Sequence, residues 1–224
     1  MAGSRIVTID GPSGAGKSTI SSLLAAKLGF AYLDTGAMYR AVGLKVHNSG
    51  IDPEDEGALE SLLDELDLKL QAVAGGTSVL LDQEDVSGMI RTPEMSMIAS
   101  RISALRPVRE KLTALQREIG GKGEVVTEGR DMGTVVFPDA RWKFFLDASP
   151  QERARRRVLQ LQEKGQVFDE GQILEQIVQR DEADSARSLS PLKPAEDAVI
   201  VDSSKMTIDE VIHFMVKCIQ AADR

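Results

Sequence analysis

The chain has 224 residues, of which 42% are hydrophobic and 28% are charged, a composition typical of globular proteins. The formal net charge of −8 argues against binding nucleic acid or anionic membranes through bulk charge. A single cysteine excludes an intrachain disulfide framework and a cysteine-rich metal site. The sequence has neither a signal-peptide-like apolar segment nor an apolar run near the ~18 residues of a membrane span, so we expect a cytoplasmic protein.

The chain begins with a predicted strand, a glycine-rich loop and a helix. Residues 5–10 form a β-branched run typical of a buried strand, and apolar residues at helical spacing follow from Ile20. The residues between them fit the phosphate-binding pattern G-x-x-x-x-G-K-[ST], in which backbone N–H groups and a helix N-terminus face phosphate oxygens. The predicted phosphate-binding residues are Gly11, Pro12, Ser13, Gly14, Ala15, Gly16, Lys17, Ser18 and Thr19.

Two side chains of this loop have distinct predicted roles. Lys17 can reach the outer phosphates of a nucleoside triphosphate, and Ser18 can ligate Mg²⁺. The alternative, a glycine-rich turn that carries a lysine by chance, does not account for both the complete motif and its flanks. The loop therefore predicts a nucleoside triphosphate as a ligand and Mg²⁺ as its ion.

The next segment departs from a regular strand–helix alternation. In chain order it predicts a strand at 31–33, a helix carrying Met38, Val42 and Val46, an exposed loop at 48–57, a short helix around Leu59–Leu66, and strands at 68–73 and 78–81 joined by Gly75-Gly76 as a hairpin. A parallel α/β core does not need this helix and hairpin. We therefore predict that residues 36–105 are an insertion that forms part of a second lobe.

The remainder of the chain returns to alternating helices and strands. The pattern predicts a helix from Pro107 to Gly120-Gly121, strands at 124–127 and 143–147, helices from Ser149-Pro150 and from Ile173, a strand at 198–201, and a last helix behind Thr207. Alternation that starts from a phosphate-binding loop predicts a parallel sheet covered on both faces, with ligands beyond the carboxyl ends of its strands. The loop and the Arg130-Asp131 turn both follow such ends.

Arginine residues recur after this point. Arg130 follows a strand end, Arg153, Arg156 and Arg157 share a helical face, and Arg180 and Arg187 are seven residues apart. The planar guanidinium matches phosphate oxygens, and phosphoryl transfer depends mainly on positioning and charge neutralisation. The arginines therefore favour transfer between two anionic substrates.

Each group also has a simpler interpretation. The arginines from 153 to 157 could form a solvated face that pairs with Glu152 or Glu163. Arg180 could form a local ion pair with Asp181 or Asp184, and Asp131 could cap the turn that follows it. The residues alone leave these alternatives open.

Several stretches resemble bacterial cytidylate kinases. They are residues 9–18, 33–40, 84–88, 129–138, 145–149 and 152–157, and the resemblance covers essentially the whole chain. The run Gly129-Arg130-Asp131-Met132-Gly133-Thr134-Val135-Val136-Phe137-Pro138 is the specific part. The phosphate-binding loop alone would not separate this family from shikimate kinase or dephospho-coenzyme A kinase. The sequence departs from the usual pattern at Ser18, often glycine, and at Glu128, often aspartate or alanine.

The resemblance implies an α/β fold: a P-loop parallel β-sheet flanked by helices, with an inserted monophosphate-binding lobe and a small helical lid. The expected boundaries are 1–35, 106–150 and 188–224 for the core, 36–105 for the inserted lobe and 151–187 for the lid. The implied reaction transfers the γ-phosphoryl group of ATP, with Mg²⁺, to CMP or dCMP in pyrimidine nucleotide metabolism. The implied protein is a monomer that binds neither nucleic acid nor membrane.

The resemblance also implies roles for individual residues. The implied cytosine contacts are Thr35, Arg109 and Asp131; the sugar contacts are Ser100, Arg180 and Asp184; the acceptor-phosphate contacts are Arg40, Arg130 and Arg187; and the donor-nucleotide contacts are Arg153 and Arg157. The implied catalytic set is Lys17, Arg130, Arg153, Arg157 and Arg187. Either Asp131 or water is expected to complete the Mg²⁺ shell beside Ser18.

Three rival functions remain at this stage. The protein could phosphorylate another small acceptor, such as UMP or a non-nucleotide, or it could be a nucleotide sensor without catalysis. The spread of arginines disfavours a sensor, which needs no second phosphate clamp. The negative charge and the few aromatic residues disfavour an ATPase that handles nucleic acid.

Overall fold

The computed structural model describes residues 5–73, 76–163, 165 and 169–222 of the chain. The strands in this part are β1 (Ile6–Asp10), β2 (Ala31–Asp34), β3 (Leu68–Val73), β4 (Gly76–Leu81), β5 (Glu84–Asp85), β6 (Val125–Gly129), β7 (Trp142–Asp147) and β8 (Val199–Asp202). The helices are α1 (Lys17–Leu28), α2 (Thr35–Ser49), α3 (Glu56–Asp64), α4 (Pro93–Ile102), α5 (Arg106–Gly120), α6 (Pro150–Glu163), α7 (Glu170–Ser185) and α8 (Ile208–Ala222). Within the same residues, no helix is long and apolar enough to cross a membrane.

A five-stranded parallel sheet forms the centre of the fold. Its strand order is β2-β6-β1-β7-β8, which confirms the predicted parallel α/β core. All five residues of β1 are buried, as expected for the central strand. Asp10 pairs with Gly129 in the register of β1 and β6, so the phosphate-binding loop and the Arg130-Asp131 turn begin side by side.

Helices cover both faces of this sheet. One core cluster packs α1 and α8 against the strands through residues such as Leu24, Met215 and Phe144. A second cluster packs α2 and α5 against the other face, with Val108 and Leu112 fully buried. The hydrophobic effect therefore fixes the sheet between two helical layers and leaves the carboxyl ends of the strands for the site.

A smaller antiparallel sheet of order β3-β4-β5 lies against α2 and α4. Its β3–β4 pairing confirms the predicted hairpin, whereas the predicted turn residue Gly75 lies outside the described residues. Helices α2 and α4 approach closely at Gly43, where a Cβ atom would lie 3.1 Å from Cγ2 of Ile98. These elements form a separate cluster beside the main sheet.

Some local elements differ from the sequence predictions. Helix α2 continues to Ser49, two residues into the predicted loop, and α7 begins at Glu170, three residues before its first predicted apolar position. Strand β5 and helix α4 were not predicted. The start of α4 nevertheless carries a recognisable signal, because the Thr92 hydroxyl accepts a hydrogen bond from the Met95 N–H at 3.1 Å and Pro93 occupies the first turn.

A five-residue π-helical turn, Met132–Val136, follows β6 and was also unexpected. The N–H of Phe137 donates to the carbonyl of Met132 at 2.7 Å, which is the i→i+5 spacing of a π-helix. The Phe137 ring packs on Gly120, where a Cβ atom would lie 2.6 Å from the ring. The Gly120-Gly121 pair thus ends α5 and also accommodates this ring.

The substitution Leu112→Ala tests the packing of α5 on the sheet. Leu112 is 0% exposed, so truncation should lower the free energy of unfolding by about 2–5 kcal/mol. Leu23→Ala on α1 is a matched control, because Leu23 is 45% exposed and should change it by less than about 1 kcal/mol. Urea unfolding of both variants measures the difference, and similar losses would contradict this core.

Candidate active site

The phosphate-binding loop depends on glycine at its start. Gly11 has φ of 152°, and a Cβ atom there would lie 2.0 Å from the Leu146 carbonyl oxygen, so no side chain fits. Gly14 and Gly16 also adopt positive φ values, of 79° and 94°. The backbone thereby curves into the concave shape that the motif predicts, directly before α1.

Lys17 is buried within this loop. Its Nζ donates to the carbonyl of Pro12 at 2.6 Å, which holds the ammonium group over the loop. Burial lowers the pKa of Lys17 to about 7, and the nearby Arg130 guanidinium acts in the same direction. An anion placed beside the loop would offset this loss of charge, which suits a phosphate site.

A buried ion pair joins two of the residues predicted to contact the base. Arg109 donates to the Asp131 carboxylate and, at 3.0 Å, to the carbonyl of Ser103. Thr35, the third predicted base contact, donates from its hydroxyl to the carbonyl of Glu128 at 2.5 Å. The structure therefore brings Thr35, Arg109 and Asp131 to the carboxyl end of β6. The Asp131 side chain makes no capping hydrogen bond with the turn that follows, so the simpler turn-capping interpretation is wrong.

Two of the arginines predicted to bind the acceptor phosphate share one carboxylate. Asp184 on α7 accepts from Nε of Arg130 at 2.8 Å and pairs with Arg187. Burial would raise the pKa of Asp184, but Arg130 and Arg187 outweigh it, so the pKa lies below its usual range. Arg187 also lies 3.4 Å from the carbonyl of Ser100 on α4.

Arg180 and Arg40 complete this group. Nη1 of Arg180 lies 3.4 Å from the hydroxyl of Ser13, which connects α7 to the phosphate-binding loop. Burial lowers the pKa of Arg180 to about 10, with Arg130 adding to the effect. Arg40 pairs more loosely with Asp34, at 3.5 Å. Clustered guanidiniums of this kind repel one another and favour a bound anion.

Two of the four arginines of α6 contact the phosphate-binding loop. Arg153 is 3% exposed, donates to the carbonyls of Ser13 and Ala148 at 2.9 Å, and pairs with Asp181 at 2.6 Å. Arg156 reaches the carbonyl of Ala15 at 3.3 Å. These two contacts with the phosphate-binding loop show that the helix is not simply a solvated basic face.

The other arginines of this helix lie further from the loop. Arg157, a predicted donor-nucleotide contact, lies 3.4 Å from Gln160 within its own helix. Arg155 pairs with Glu152 on the exposed side, as the solvated-face interpretation expects. Sequence spacing placed Arg153, Arg156 and Arg157 on one helical face. It did not predict that Arg156 donates to the carbonyl of Ala15 in the phosphate-binding loop.

A pair of carboxylates at neighbouring strand ends was not predicted as part of the site. Asp34 and Glu128 are register partners on β2 and β6. Burial raises the pKa of Glu128, the charge of Asp34 raises it further, and a hydrogen bond with the Ser18 side chain opposes both. The Tyr32 hydroxyl donates to Glu128 at 2.6 Å. The carboxylates of Asp34 and Glu128 and the Ser18 hydroxyl thus lie together at the start of α1. Asp131 instead pairs with Arg109.

Asp10 is a further buried carboxylate that the sequence did not distinguish from the rest of its strand. Its two oxygens accept from the N–H groups of Met132 and Gly133, at 2.8 and 2.7 Å. Burial raises the pKa of Asp10 to about 7 in spite of these two hydrogen bonds; the charge of Asp131 adds to the rise and that of Lys17 opposes it. The only sequence signal is its position immediately before Gly11, at a strand end.

The pKa of Asp10 has a consequence for stability. In the unfolded chain the group deprotonates near its ordinary pKa of 3.8, whereas the folded protein retains the proton up to about pH 7. The folded state therefore binds more protons within this window, and this group makes the free energy of unfolding fall as pH rises. The slope can reach about 1.4 kcal/mol per pH unit.

Asp10→Asn should remove this slope, because asparagine does not titrate. The free energy of unfolding of the variant, relative to the unchanged protein, should increase from about pH 4 to about pH 7 and level off above that. Urea unfolding of both proteins at a series of pH values measures this difference. A difference that is the same at every pH would contradict the raised pKa.

Comparisons with known proteins identify the family of the chain. The family model described as cytidylate kinase matches residues 7–221. A cytidylate kinase of Caldicellulosiruptor saccharolyticus is 52% identical over 92% of this chain and 91% of the relative. One of Vibrio parahaemolyticus is 49% identical over 96% of each. An uncharacterised Eubacterium ventriosum protein shares the fold, with a TM-score of 0.52 at 13% identity, over 97% of this chain and 99% of its own. The chain belongs to the cytidylate kinase family.

Proposed function

We propose that the protein transfers the γ-phosphoryl group of ATP to CMP or dCMP, giving ADP and CDP or dCDP. Family membership supports the reaction. The observation that carries the choice of acceptor is the buried Arg109–Asp131 pair, which lies one strand away from the phosphate-binding loop. A buried hydrogen-bonding pair beside the phosphate-binding loop can select the base of the acceptor nucleotide. The arginines paired with Asp184 can bind the phosphate of the same nucleotide.

The donor half of the proposed site is the loop from Gly11 to Thr19. Its backbone N–H groups and the N-terminus of α1 bind the phosphates of ATP. The Lys17 ammonium group leaves the Pro12 carbonyl and moves to the transferred phosphoryl group, where its charge is stabilised. Arg153 and Arg157 act on the donor side, Arg153 through its contact with the loop.

Asp131 and Arg109 distinguish cytosine from uracil in this proposal. The Asp131 carboxylate accepts from the 4-amino group of cytosine, whereas the 4-oxo group of uracil would place two acceptors against each other. Arg109 and the Thr35 hydroxyl donate to the acceptor side of the ring. Because these groups are buried, a mismatched base leaves polar atoms without partners, which discriminates strongly.

The acceptor sugar and phosphate occupy the arginine cluster. Arg40, Arg130 and Arg187 bind the phosphate, and Ser100, Arg180 and Asp184 bind the sugar. Asp184 can accept from a sugar hydroxyl while it keeps Arg130 and Arg187 in place. The paired arginines are therefore held ready before the substrate arrives, which reduces the ordering needed on binding.

Mg²⁺ fits the oxygen atoms at the start of α1. The group consists of the Ser18 hydroxyl with the carboxylates of Glu128 and Asp34, and hard cations prefer such oxygen ligands. Burial and the charge of Asp34 raise the pKa of Glu128, and a cation held there would oppose both effects. These residues would hold Mg²⁺ beside the outer phosphates, where it would supply positive charge against theirs.

The chemistry requires positioning more than a nucleophile. Lys17, Arg130, Arg153, Arg157 and Arg187 supply positive charge around the transferred group, and no residue is assigned as a general base. In the proposed division, residues 36–105 form the acceptor lobe and 151–187 the lid, while 1–35, 106–150 and 188–224 form the core. Closure of the lid excludes water and limits ATP hydrolysis.

The same proposal covers the setting of the enzyme. We expect a cytoplasmic monomer that binds small nucleotides, with no nucleic acid or membrane partner. The formal net charge of −8 supports this, because a broad anionic surface repels other polyanions. A group of positive side chains that includes Lys17, Arg130 and Arg187 nevertheless lies at the carboxyl ends of the strands.

A coupled assay of ADP release across CMP, dCMP, UMP and AMP tests the function. We expect CMP and dCMP to be used with kcat/KM at least about 10²-fold above that for UMP, because uracil mismatches Asp131. If UMP is used as well as CMP, the proposed role of Asp131 is wrong. Tight ATP binding with no diphosphate product would instead indicate a nucleotide sensor.

Lys17→Ala tests the donor half of the site. Loss of this charge should lower kcat by about 10²-fold or more, because it removes a group that faces the transferred phosphoryl. Lys27→Ala, at the exposed end of the same helix, is the matched control and should leave kcat within about two-fold. Circular dichroism and thermal unfolding establish that both variants fold, and normal turnover by Lys17→Ala would remove the loop from catalysis.

A further inference from the structure

Asp10 lies between the two halves of the proposed site and has a role in neither. It is the last residue of β1, so its backbone leads directly into Gly11 of the phosphate-binding loop. Its side chain contacts the turn that follows β6, where it accepts from the N–H groups of Met132 and Gly133 at 2.8 and 2.7 Å. One residue is thus attached covalently to the donor loop and by two hydrogen bonds to the acceptor turn.

The turn is packed closely enough for these bonds to fix it. Asp10 and Gly129 are register partners, so the turn starts beside the carboxylate. A Cβ atom on Gly133 would lie 3.0 Å from the Thr8 hydroxyl and 3.4 Å from Oδ2 of Asp10, and one on Gly129 would lie 2.8 Å from Cγ of Met132. Glycine at 133 lets the backbone approach β1, and glycine at 129 makes room for the Met132 side chain, which leaves little freedom for the residues between them.

Asp131 is the residue that this arrangement holds. The two clamped N–H groups belong to the residues immediately after it, and its own carboxylate pairs with Arg109. A carboxylate offers an acceptor to each N–H, whereas the asparagine amide offers one acceptor and one donor. Asp10 is 3% exposed and near the like charge of Asp131, so it occupies a place that opposes its ionisation. Ionisation of Asp10 therefore costs stability, and the two hydrogen bonds that hold the turn best explain a carboxylate in this place.

We propose that Asp10 is a positioning residue whose carboxylate fixes the Asp131 backbone against the phosphate-binding loop and thereby sets the selection of cytosine over uracil. This inference rests on the proposed contact between Asp131 and the base. In this role Asp10 does not touch a substrate. It acts through Asp131, so the effect of its loss depends on whether Asp131 is present.

A double-mutant cycle on the full chain tests this dependence. The proteins are the unchanged enzyme, Asp10→Asn, Asp131→Asn and the double variant, and the measurements are kcat/KM for CMP and UMP and KM for ATP. At about pH 8, above the pKa of about 7 at which Asp10 ionises, Asp10→Asn should lower kcat/KM for CMP by about 10-fold or more and lower the CMP/UMP ratio, because a lost hydrogen bond to a charged group has effects of this order. KM for ATP should stay within about two-fold, and in the Asp131→Asn background the additional loss should disappear.

Three outcomes would overturn the inference. Additive losses in the cycle, equal losses for ATP and CMP, or an unchanged CMP/UMP ratio in Asp10→Asn would each make Asp10 a general support of the loop. Asp147→Asn is the matched control, because Asp147 ends β7, the other neighbour of β1, and accepts from the N–H of Ala148 at 2.8 Å. It should leave the CMP/UMP ratio within about two-fold.

The cycle also separates this inference from the proposed function. If Asp131→Asn leaves the CMP/UMP ratio unchanged, the proposed base contact is wrong. If Asp131→Asn removes the selectivity and Asp10→Asn does not reduce it, the base contact stands and the positioning role is wrong.

A measurement on the unchanged protein covers the case in which Asp10→Asn does not fold. Hydrogen exchange followed by NMR should find the amides of Met132 and Gly133 protected by about 10²-fold or more relative to the amide of Asp139 in the exposed loop that follows. Exchange of all three amides at similar rates would show that the carboxylate does not hold the turn, and would overturn the inference.

Discussion

The parallel pairing of β1 with β6 is the constraint on which the rest of the site depends. It aligns Asp10 with Gly129, so the two loops that leave these strands emerge at the same level of the sheet. Gly11 lies so close to the carbonyl of Leu146 that only glycine fits there, which restricts the backbone of the phosphate-binding loop. The glycines of the Gly129–Gly133 turn impose a similar restriction on the other loop. A shift of one residue in this register would separate the phosphate-binding loop from the Arg109–Asp131 pair, whatever the side chains.

The electrostatics of the site follow a consistent pattern of paired charges. Arg109 has Asp131, Arg130 and Arg187 share Asp184, and Arg153 has Asp181. Breaking a buried pair by removing one partner is costly, which holds the guanidiniums in defined positions. The carboxylates also reduce repulsion among arginines that would otherwise be forced apart by their mutual charge. A protein of formal net charge −8 can thus present a local cationic site to anionic nucleotides.

Local sequence patterns were sufficient for the main features of the fold. A complete motif between a β-branched run and a helical stripe predicts the phosphate-binding loop, and the strand–helix alternation predicts the parallel sheet. Asp10 and Glu128 were beyond such reasoning, because their surroundings come from residues 93 or more positions away, as in the contact between Thr35 and Glu128. The π-helical turn was missed for the same reason. Its first N–H groups are satisfied by Asp10, and no pattern within five residues can reveal a partner from another strand.

The contacts of Arg153 bear on how the proposed lid can move. One guanidinium joins the loop at Ser13, the start of α6 at Ala148 and α7 at Asp181, and an apolar cluster that includes Leu161 and Ile177 unites the two helices. Sliding α7 along α6 would leave a buried charge without a partner and open that cluster. The two helices should therefore behave as one rigid body, whose rotation is transmitted to the phosphate-binding loop through the side chains of Arg153, Arg156 and Arg180. The mechanical hinge then lies in the connections that flank this helical pair.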